Sequence, residues 1–290
     1  MKKGLFLVML LVAAVAAKAE VEFAYTAGAE LTSAYIWRGQ YNGGLSFQPD
    51  LEVGFETGNT AFSAGVWANI GSSDWMFRKG RPDITTEDGE TLNPNTVFKP
   101  ELDVVLSYSF YGANIGLNHY YYCDGSNFFS WKSVDALLEA KEDGQTTTEV
   151  WAGYNFGDQL GIGLYINWYT TIAGYDFVWD EDGNAKRAWS SYLELGYDYS
   201  FENIGLTIGA QLGISPWASD LYCNEKFAVT NISARIEKEF DFDVCTLNVF
   251  ATGSINPDGI NKDNVYINKA GEEKLYNQKL NGAIGVGVWF

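Results

Sequence analysis

The sequence predicts an all-β fold: a transmembrane antiparallel β-barrel of about twelve strands, with short periplasmic turns and long extracellular loops. Three observations predict it. Apolar and polar residues alternate through almost every ordered stretch, the connections alternate in length, and the last strand is apolar on one side up to a terminal aromatic residue. The composition agrees, because 16% aromatic residues and 31 glycines with only 6 prolines are typical of a barrel with aromatic girdles.

The chain begins with an export segment. Residues 1–19 have a basic start, an apolar run and the small-x-small ending Ala17-Lys18-Ala19, which predicts a cleaved signal peptide rather than a membrane span. No later segment has the roughly 18 continuous apolar residues of a spanning helix. We therefore expect residues 20–290 to form a single barrel domain in the bacterial outer membrane, in contact with outer-membrane lipid.

Twelve strands follow from the alternation. They are residues 22–40, 45–57, 60–71, 98–110, 113–123, 147–156, 160–173, 189–201, 204–215, 227–240, 244–254 and 278–290. Odd-numbered strands are mostly followed by long polar segments and even-numbered strands by tight turns, which places both termini in the periplasm. In the first strand, the lipid-facing phase is predicted to run from Phe23 to Tyr35 and Trp37.

The last strand has one phase that is apolar throughout. This phase contains Leu280, Gly282, Ile284, Val286, Val288 and Phe290. Because side chains alternate across a strand, these residues share one face. We expect that face to contact lipid, and we expect the barrel-assembly machinery to recognise the strand that ends in Phe290.

The net charge limits the partners. The chain has 19 Lys and Arg against 37 Asp and Glu, a net charge of −18 at pH 7. Such acidity argues against nucleic acid as a partner and fits a lumen that attracts cations. The expected solutes are small and hydrophilic, either neutral or cationic.

Carboxylates dominate the predicted inward phase. The candidate lumen-lining residues are Arg38, Asp50, Glu52, Glu101, Asp103, Glu149, Glu194 and Arg235. Like charges between walls of low dielectric concentrate counter-ions, which predicts a water-filled, cation-preferring pore. The alternative is an interior closed by salt bridges and polar packing. Two clearly inward bases do not neutralise so many carboxylates, which favours the pore.

Enzymatic chemistry is not expected. The chain has one histidine, His119, and a hydrolytic barrel needs histidine beside a serine or an aspartate. His119 shares its phase with Leu117 and Tyr121, which predicts that it faces lipid near the extracellular rim. The acidic stretch 180–184 lacks the spacing of a calcium loop. No metal or cofactor is expected.

The three cysteines permit one disulfide. Cys123 and Cys223 fall on the predicted extracellular side, whereas Cys245 lies near a predicted periplasmic turn. An oxidising envelope permits a Cys123–Cys223 bond. The sequence leaves open whether the two residues are close enough to form it.

A motif near the start of the mature chain resembles a known family. The stretch SAYIWRGQ, with Tyr35, Trp37, Arg38 and Gly39, is similar to the Ser/Thr-x-Tyr-x-Phe/Trp-Arg-Gly motif of the TorF-type outer-membrane porins. The resemblance covers about residues 30–70. It implies an outer-membrane barrel of the porin kind and implies no particular solute.

Together these observations predict a porin-like channel for passive diffusion of small hydrophilic, neutral or cationic solutes. The alternative is a non-conducting structural or adhesion barrel whose loops bind partners. The width of the lumen distinguishes the two.

Overall fold

The computed structural model describes residues 21–71, 84–85, 91–92, 100–123, 128–129, 146–160, 162–180, 182, 184–219, 221–222, 224–258, 265–267, 273–275 and 279–290. The predicted signal peptide (1–19) and Cys223 lie outside these residues. Signal cleavage and the Cys123–Cys223 disulfide therefore stay predictions.

Twelve strands form one closed antiparallel barrel, so the predicted fold class is confirmed. In chain order they are β1 (Glu22–Thr32), β2 (Ser46–Thr57), β3 (Thr60–Gly71), β4 (Glu101–Phe110), β5 (Ala113–Tyr121), β6 (Thr146–Asn155), β7 (Gly163–Gly174), β8 (Ser191–Phe201), β9 (Leu206–Ser215), β10 (Ala228–Asp241), β11 (Thr246–Ile255) and β12 (Leu280–Trp289). Each strand pairs with its sequence neighbours, and β12 pairs with β1. At this seam the Phe290 N–H donates to the Ala27 carbonyl at 2.8 Å. Closure leaves no open sheet edge, as a backbone surrounded by lipid requires.

The two ends of the barrel differ in their connections. Even-numbered strands lead into short turns, such as 58–59 and 111–112. The start of β1 and the end of β12 lie at this same end of the barrel, which we call the turn end. Odd-numbered strands lead into longer connections at the opposite end, called the loop end. In barrels of this kind, short turns face the periplasm.

Little helix is present in the described residues. The turns contain a single helical turn, α1 (Gly157–Leu160), and a 3₁₀ turn at Glu202–Ile204. Within the described part of the chain, no helix has the length and hydropathy needed to cross a membrane.

The outer face of the barrel is apolar. Phe23 is 85% exposed and Ile284 is 65% exposed. Other exposed apolar side chains on this face are Tyr25, Leu51, Val53, Ile115, Leu195, Ile208, Ile236 and Val249. Near the turn end, the exposed rings of Phe110, Phe201, Phe240 and Phe290 lie where an aromatic girdle is expected. An apolar surface this large is stable against lipid rather than water. The barrel therefore spans a membrane, and a closed antiparallel barrel with this surface is an outer-membrane structure.

The first strand is shorter than predicted, and this is the main difference in the fold. β1 ends at Thr32 rather than at residue 40, and Tyr35–Trp37 then pairs with Gln40–Gly43. We call residues 35–43 the inner hairpin because it folds into the barrel. Thr32 is buried and its hydroxyl donates to the Ala34 carbonyl at 3.0 Å, which turns the chain away from the wall.

The turn of the inner hairpin explains the Arg-Gly pair of the motif. Arg38 has φ 49° and Gly39 has φ 82°, and a two-residue turn of type I′ requires positive φ at both positions. A Cβ on Gly39 would lie 2.3 Å from the Thr230 carbonyl oxygen, so only glycine fits there. The prediction that Tyr35 and Trp37 face lipid is wrong, because the chain leaves the barrel wall after Thr32 and both residues lie on the inner hairpin. Tyr35 is 8% exposed, and the Trp37 ring stacks on Tyr222 inside the barrel.

Candidate functional site

The lumen has two regions, a packed loop half and an open turn half. Along β2, the inward side chains change from buried at Gln48 to exposed at Glu52. Along β8, they change from Tyr192, which is 0% exposed, to Asp198, which is exposed. The inner hairpin lies in the loop half and narrows it.

Arg38 occupies the tip of the inner hairpin and pairs with Glu149 of β6. Its Nη1 lies 2.7 Å from Glu149 Oε2, and its Nη2 lies 2.8 Å from Oε1. Two parallel N–H···O bonds are the strong form of this interaction. The side chains are only 9% and 0% exposed. The pair joins residues 111 positions apart and fixes the hairpin against the opposite wall.

Neighbours on β5 hold the Glu149 carboxylate in place. The Tyr120 hydroxyl donates to Oε1 at 2.9 Å, and the Asn118 amide donates to the same oxygen at 3.1 Å. The Trp151 indole donates in turn to Asn118 Oδ1 at 3.2 Å. A buried carboxylate is stable when its oxygens receive several donors, and Glu149 meets that condition.

Aromatic rings surround the Arg38 guanidinium. Its Cζ lies 3.9 Å from the ring centroid of Tyr169, 4.6 Å from Trp37, 4.9 Å from Tyr192 and 6.0 Å from Tyr222. Ring faces attract a cation, most strongly where water is excluded. We call Glu149 and these rings the Arg38 site.

Tyr222 completes the site from the loop end. Its hydroxyl accepts a hydrogen bond from Arg38, and its ring stacks on Tyr192 with centroids 5.2 Å apart. Burial raises the pKa of Tyr222 well above its usual value. The phenol therefore stays protonated and adds no further charge to the site.

The hairpin backbone is also fastened to the barrel. The Asn281 amide of β12 donates to the Gly39 carbonyl at 2.9 Å, and the Gln40 amide donates to the Leu221 carbonyl at 3.0 Å. At the base, Ser33 N–H donates to the Ile284 carbonyl and Ile284 N–H donates to Ser33 Oγ, each at 2.8 Å. Contacts with β6, β10 and β12 thus hold the hairpin from several sides.

A second arginine, Arg235 of β10, lies further toward the turn end. Its Nη2 lies 3.0 Å from Glu30 and 2.5 Å from Glu237, and its Cζ lies 3.7 Å from the ring centroid of Phe250. Because β11 and β12 separate Glu30 from Arg235 in the barrel, the ion pair crosses part of the lumen. Arg38 and Arg235 both line one lumenal cavity of about 260 Å³.

The remaining predicted lumen residues lie at different depths. Glu101 and Asp103 of β4 are 6% and 7% exposed, and Asp103 Oδ1 has no hydrogen-bond partner among the described residues. Asp50 and Glu52 lie on the face of β2 opposite the exposed apolar residues, and Glu194 of β8 is half-buried. The structure brings Arg38 and Glu149 together and leaves Asp50 and Glu52 apart from them.

His119 differs from its predicted environment. It is 1% exposed rather than facing lipid, because Phe128 and Phe129 cover it with ring centroids 4.9 and 4.8 Å from the imidazole. Its nitrogens lie 2.8 Å from Thr148 Oγ1 and 2.6 Å from the Phe128 carbonyl oxygen. Among the described residues, no group of His, Cys, Asp and Glu has the arrangement to hold a metal ion.

Sequence reasoning missed the aromatic part of the Arg38 site. Tyr169, Tyr192 and Tyr222 were not singled out, because tyrosine suits both a lumen and a membrane interface. The Arg-Gly pair was the available signal, because glycine is favoured at the positive-φ position of a two-residue hairpin turn.

Comparison with known proteins gives likeness in fold at low identity. No family profile and no curated protein matches the chain, so the TorF-type resemblance stays a prediction. An outer membrane channel from Pseudomonas putida F1 is 10% identical, with 93% of this chain and 94% of that chain covered and a TM-score of 0.43. The P. putida toluene transporter TodX is 11% identical over 92% and 89%, with a TM-score of 0.37. Salmonella typhi OmpF in complex with daunomycin is 10% identical over 94% and 98%, with a TM-score of 0.36.

Proposed function

We propose that the protein is a constricted, porin-like channel of the outer membrane for passive diffusion of small hydrophilic solutes, neutral or cationic, and that it is not an enzyme. The observation that carries this proposal is the inner hairpin. It narrows the loop half of the lumen, while the turn half stays open and polar. A barrel that was only a membrane anchor has no need of a charged element folded into its interior.

The charges of the turn half support a preference for cations. Asp50, Glu52 and Asp198 lie there with exposed or half-exposed carboxylates, and Arg235 is already paired with Glu30 and Glu237. Excess negative charge in a narrow lumen raises the local concentration of cations. We further propose that β12, through exposed Phe290, presents the chain to the barrel-assembly machinery.

Conductance in planar bilayers tests the proposal. We expect the wild-type protein to give small unit conductances and a cation-preferring reversal potential in a potassium chloride gradient. The preference should weaken as salt shortens the screening length from about 10 Å at 0.1 M to about 3 Å at 1 M. Replacing residues 36–41 by a glycine-serine linker should raise the unit conductance severalfold. The same kind of linker at 242–245, in an exposed turn, is the control.

Anion preference at low salt, or equal conductance with and without the inner hairpin, contradicts the proposal. The second candidate is a non-conducting structural or adhesion barrel, and complete burial of Glu149 in the loop half favours it. A wild-type protein that never conducts supports this second candidate.

A further inference from the structure

The Arg38 site has the chemistry of a receptor for a guanidinium group. Glu149 offers two oxygens that take two parallel N–H bonds at 2.7 and 2.8 Å. The Tyr169 ring lies 3.9 Å from Cζ, and the Tyr192 ring lies 4.9 Å from it. A carboxylate fork combined with ring faces matches a planar, delocalised cation better than a spherical one.

Most of this site belongs to the barrel and not to the hairpin. Glu149 lies on β6, Tyr169 on β7 and Tyr192 on β8, and Asn118 and Tyr120 of β5 orient the carboxylate. The hairpin contributes the Trp37 ring and the cation itself. The barrel strands therefore supply most of the binding site, and the inner hairpin places Arg38 in it.

We propose that the Arg38 site binds solutes that carry a guanidinium group, and that Arg38 occupies it as a tethered internal ligand. This inference rests on the proposed function, because it names the class of cation that a lumenal solute would belong to. A free guanidinium displaces Arg38 by making the same two hydrogen bonds to Glu149 and the same ring contacts. The displaced hairpin then loses its fastening to β6.

Access and competition follow from the geometry. Arg38 and Gly39 line the cavity of about 260 Å³ that continues toward the turn end, so a solute in that cavity lies beside the site. A group tethered by a short segment competes at an effective concentration of order millimolar. The wild-type protein should therefore bind a free guanidinium weakly, and removal of Arg38 should strengthen binding.

Calorimetry on the refolded full chain in detergent micelles tests this, with methylguanidinium as the probe. We expect Arg38→Ala to bind methylguanidinium at least about tenfold more tightly than the wild-type protein, because the tethered competitor is gone. Adding Glu149→Gln in the Arg38→Ala background should abolish the gain. Urea, which has the planar shape of the guanidinium group without its charge, should not bind at millimolar concentration.

Two further variants keep the test sharp. Arg235→Ala removes the other arginine that lines the 260 Å³ cavity. Its side chain is 39% exposed and its guanidinium lies over Phe250, and the variant should give no comparable gain. Gly39→Ala keeps every residue of the site but places a Cβ 2.3 Å from the Thr230 oxygen. It should loosen the hairpin and strengthen methylguanidinium binding.

The inference fails if folded Arg38→Ala binds methylguanidinium no better than the wild-type protein, or binds urea equally well. If Arg38→Ala does not fold alone, methylguanidinium in the refolding buffer should restore the folded form, which migrates differently in electrophoresis with and without boiling. A failure of methylguanidinium to restore folding overturns the inference. Because binding is measured without a bilayer, its outcome is separate from conductance. A conducting barrel without binding contradicts this inference alone, and a non-conducting barrel that binds contradicts the proposed channel alone.

Discussion

The two halves of the lumen use the same contacts in different surroundings. Each has an arginine that pairs with a carboxylate and lies over an aromatic ring. In the loop half, Arg38 is 9% exposed and Glu149 is 0% exposed. In the turn half, Arg235 is 39% exposed, and its partners Glu30 and Glu237 are 18% and 20% exposed.

This difference shows that the solvent exposure of an ion pair, rather than the type of contact, decides how much the pair contributes to stability. Water screens the Arg235 pairs, so they contribute little to stability and mainly shape the local field. The Arg38 pair is desolvated, so each partner depends on the other, and loss of one leaves an uncompensated buried charge. The ion pair of the loop half therefore holds the inner hairpin in place, whereas the ion pairs of the turn half line the lumen.

The largest expected effect comes from the buried carboxylate. Glu149→Gln should lower the free energy of unfolding by about 3 to 5 kcal/mol, because Arg38 is left buried without a counter-charge. Glu237→Gln, in the more exposed Arg235 pair, should cost less than about 1 kcal/mol. Urea titration of both variants in micelles measures the difference, and urea is preferred since guanidinium chloride competes for the site. Equal losses would remove the distinction between the halves.

An intermediate effect is expected at the hairpin turn. Gly39→Ala should cost about 2 to 3 kcal/mol, because Gly39 has a left-handed backbone and an added Cβ would lie 2.3 Å from the Thr230 carbonyl oxygen. Gly58→Ala is the matched control, because Gly58 also has positive φ, at +60°, but has no atom within 4 Å of its Cβ position. It should cost about 1 kcal/mol. If the two variants unfold at the same urea concentration, the tip of the hairpin is not packed against β10.

The smallest expected effect isolates one hydroxyl. Tyr222→Phe keeps the stacked ring and removes the oxygen that accepts from Arg38, which should cost about 1 kcal/mol. Tyr199→Phe, on the outer face and 50% exposed, should stay within about 0.5 kcal/mol of the wild-type protein. Urea midpoints measure both. If Tyr222→Phe is as stable as the wild-type protein, the Tyr222 hydroxyl adds nothing to the ring contacts and the Glu149 pair that hold the guanidinium.

Most of the fold was predictable because each strand keeps a lipid-facing phase. Apart from β1, the predicted strand boundaries lie within three residues of those in the structure. β1 was extended too far because Tyr35 and Trp37 continue the apolar alternation, yet their alternation belongs to a hairpin inside the lumen. An alternation of period two shows which residues share a face of a strand. It does not show whether that strand belongs to the barrel wall or to a hairpin inside the lumen.

The Arg38 site was only partly predictable. Arg38 and Glu149 were both placed on the inward phase, but their pairing depends on barrel closure and not on local sequence. The excess of carboxylates predicted an open, watery lumen, and that description fits the turn half alone. In the loop half, hydrogen-bond donors from Asn118 and Tyr120 satisfy Glu149, a compensation that counting charges does not reveal.

The attachment of the inner hairpin to β12 has a consequence for assembly. Gly39 is hydrogen-bonded to Asn281, and Ser33 is hydrogen-bonded to Ile284, across sequence separations of 242 and 251 residues. Contacts this distant form late, because the entropy of closing such a loop is lost before any of them is gained. The contacts of the N-terminal hairpin with β12 therefore form only once the C-terminal strand has docked. The attachment of the hairpin is therefore completed together with closure of the barrel, so the constriction is fully held only in the finished protein.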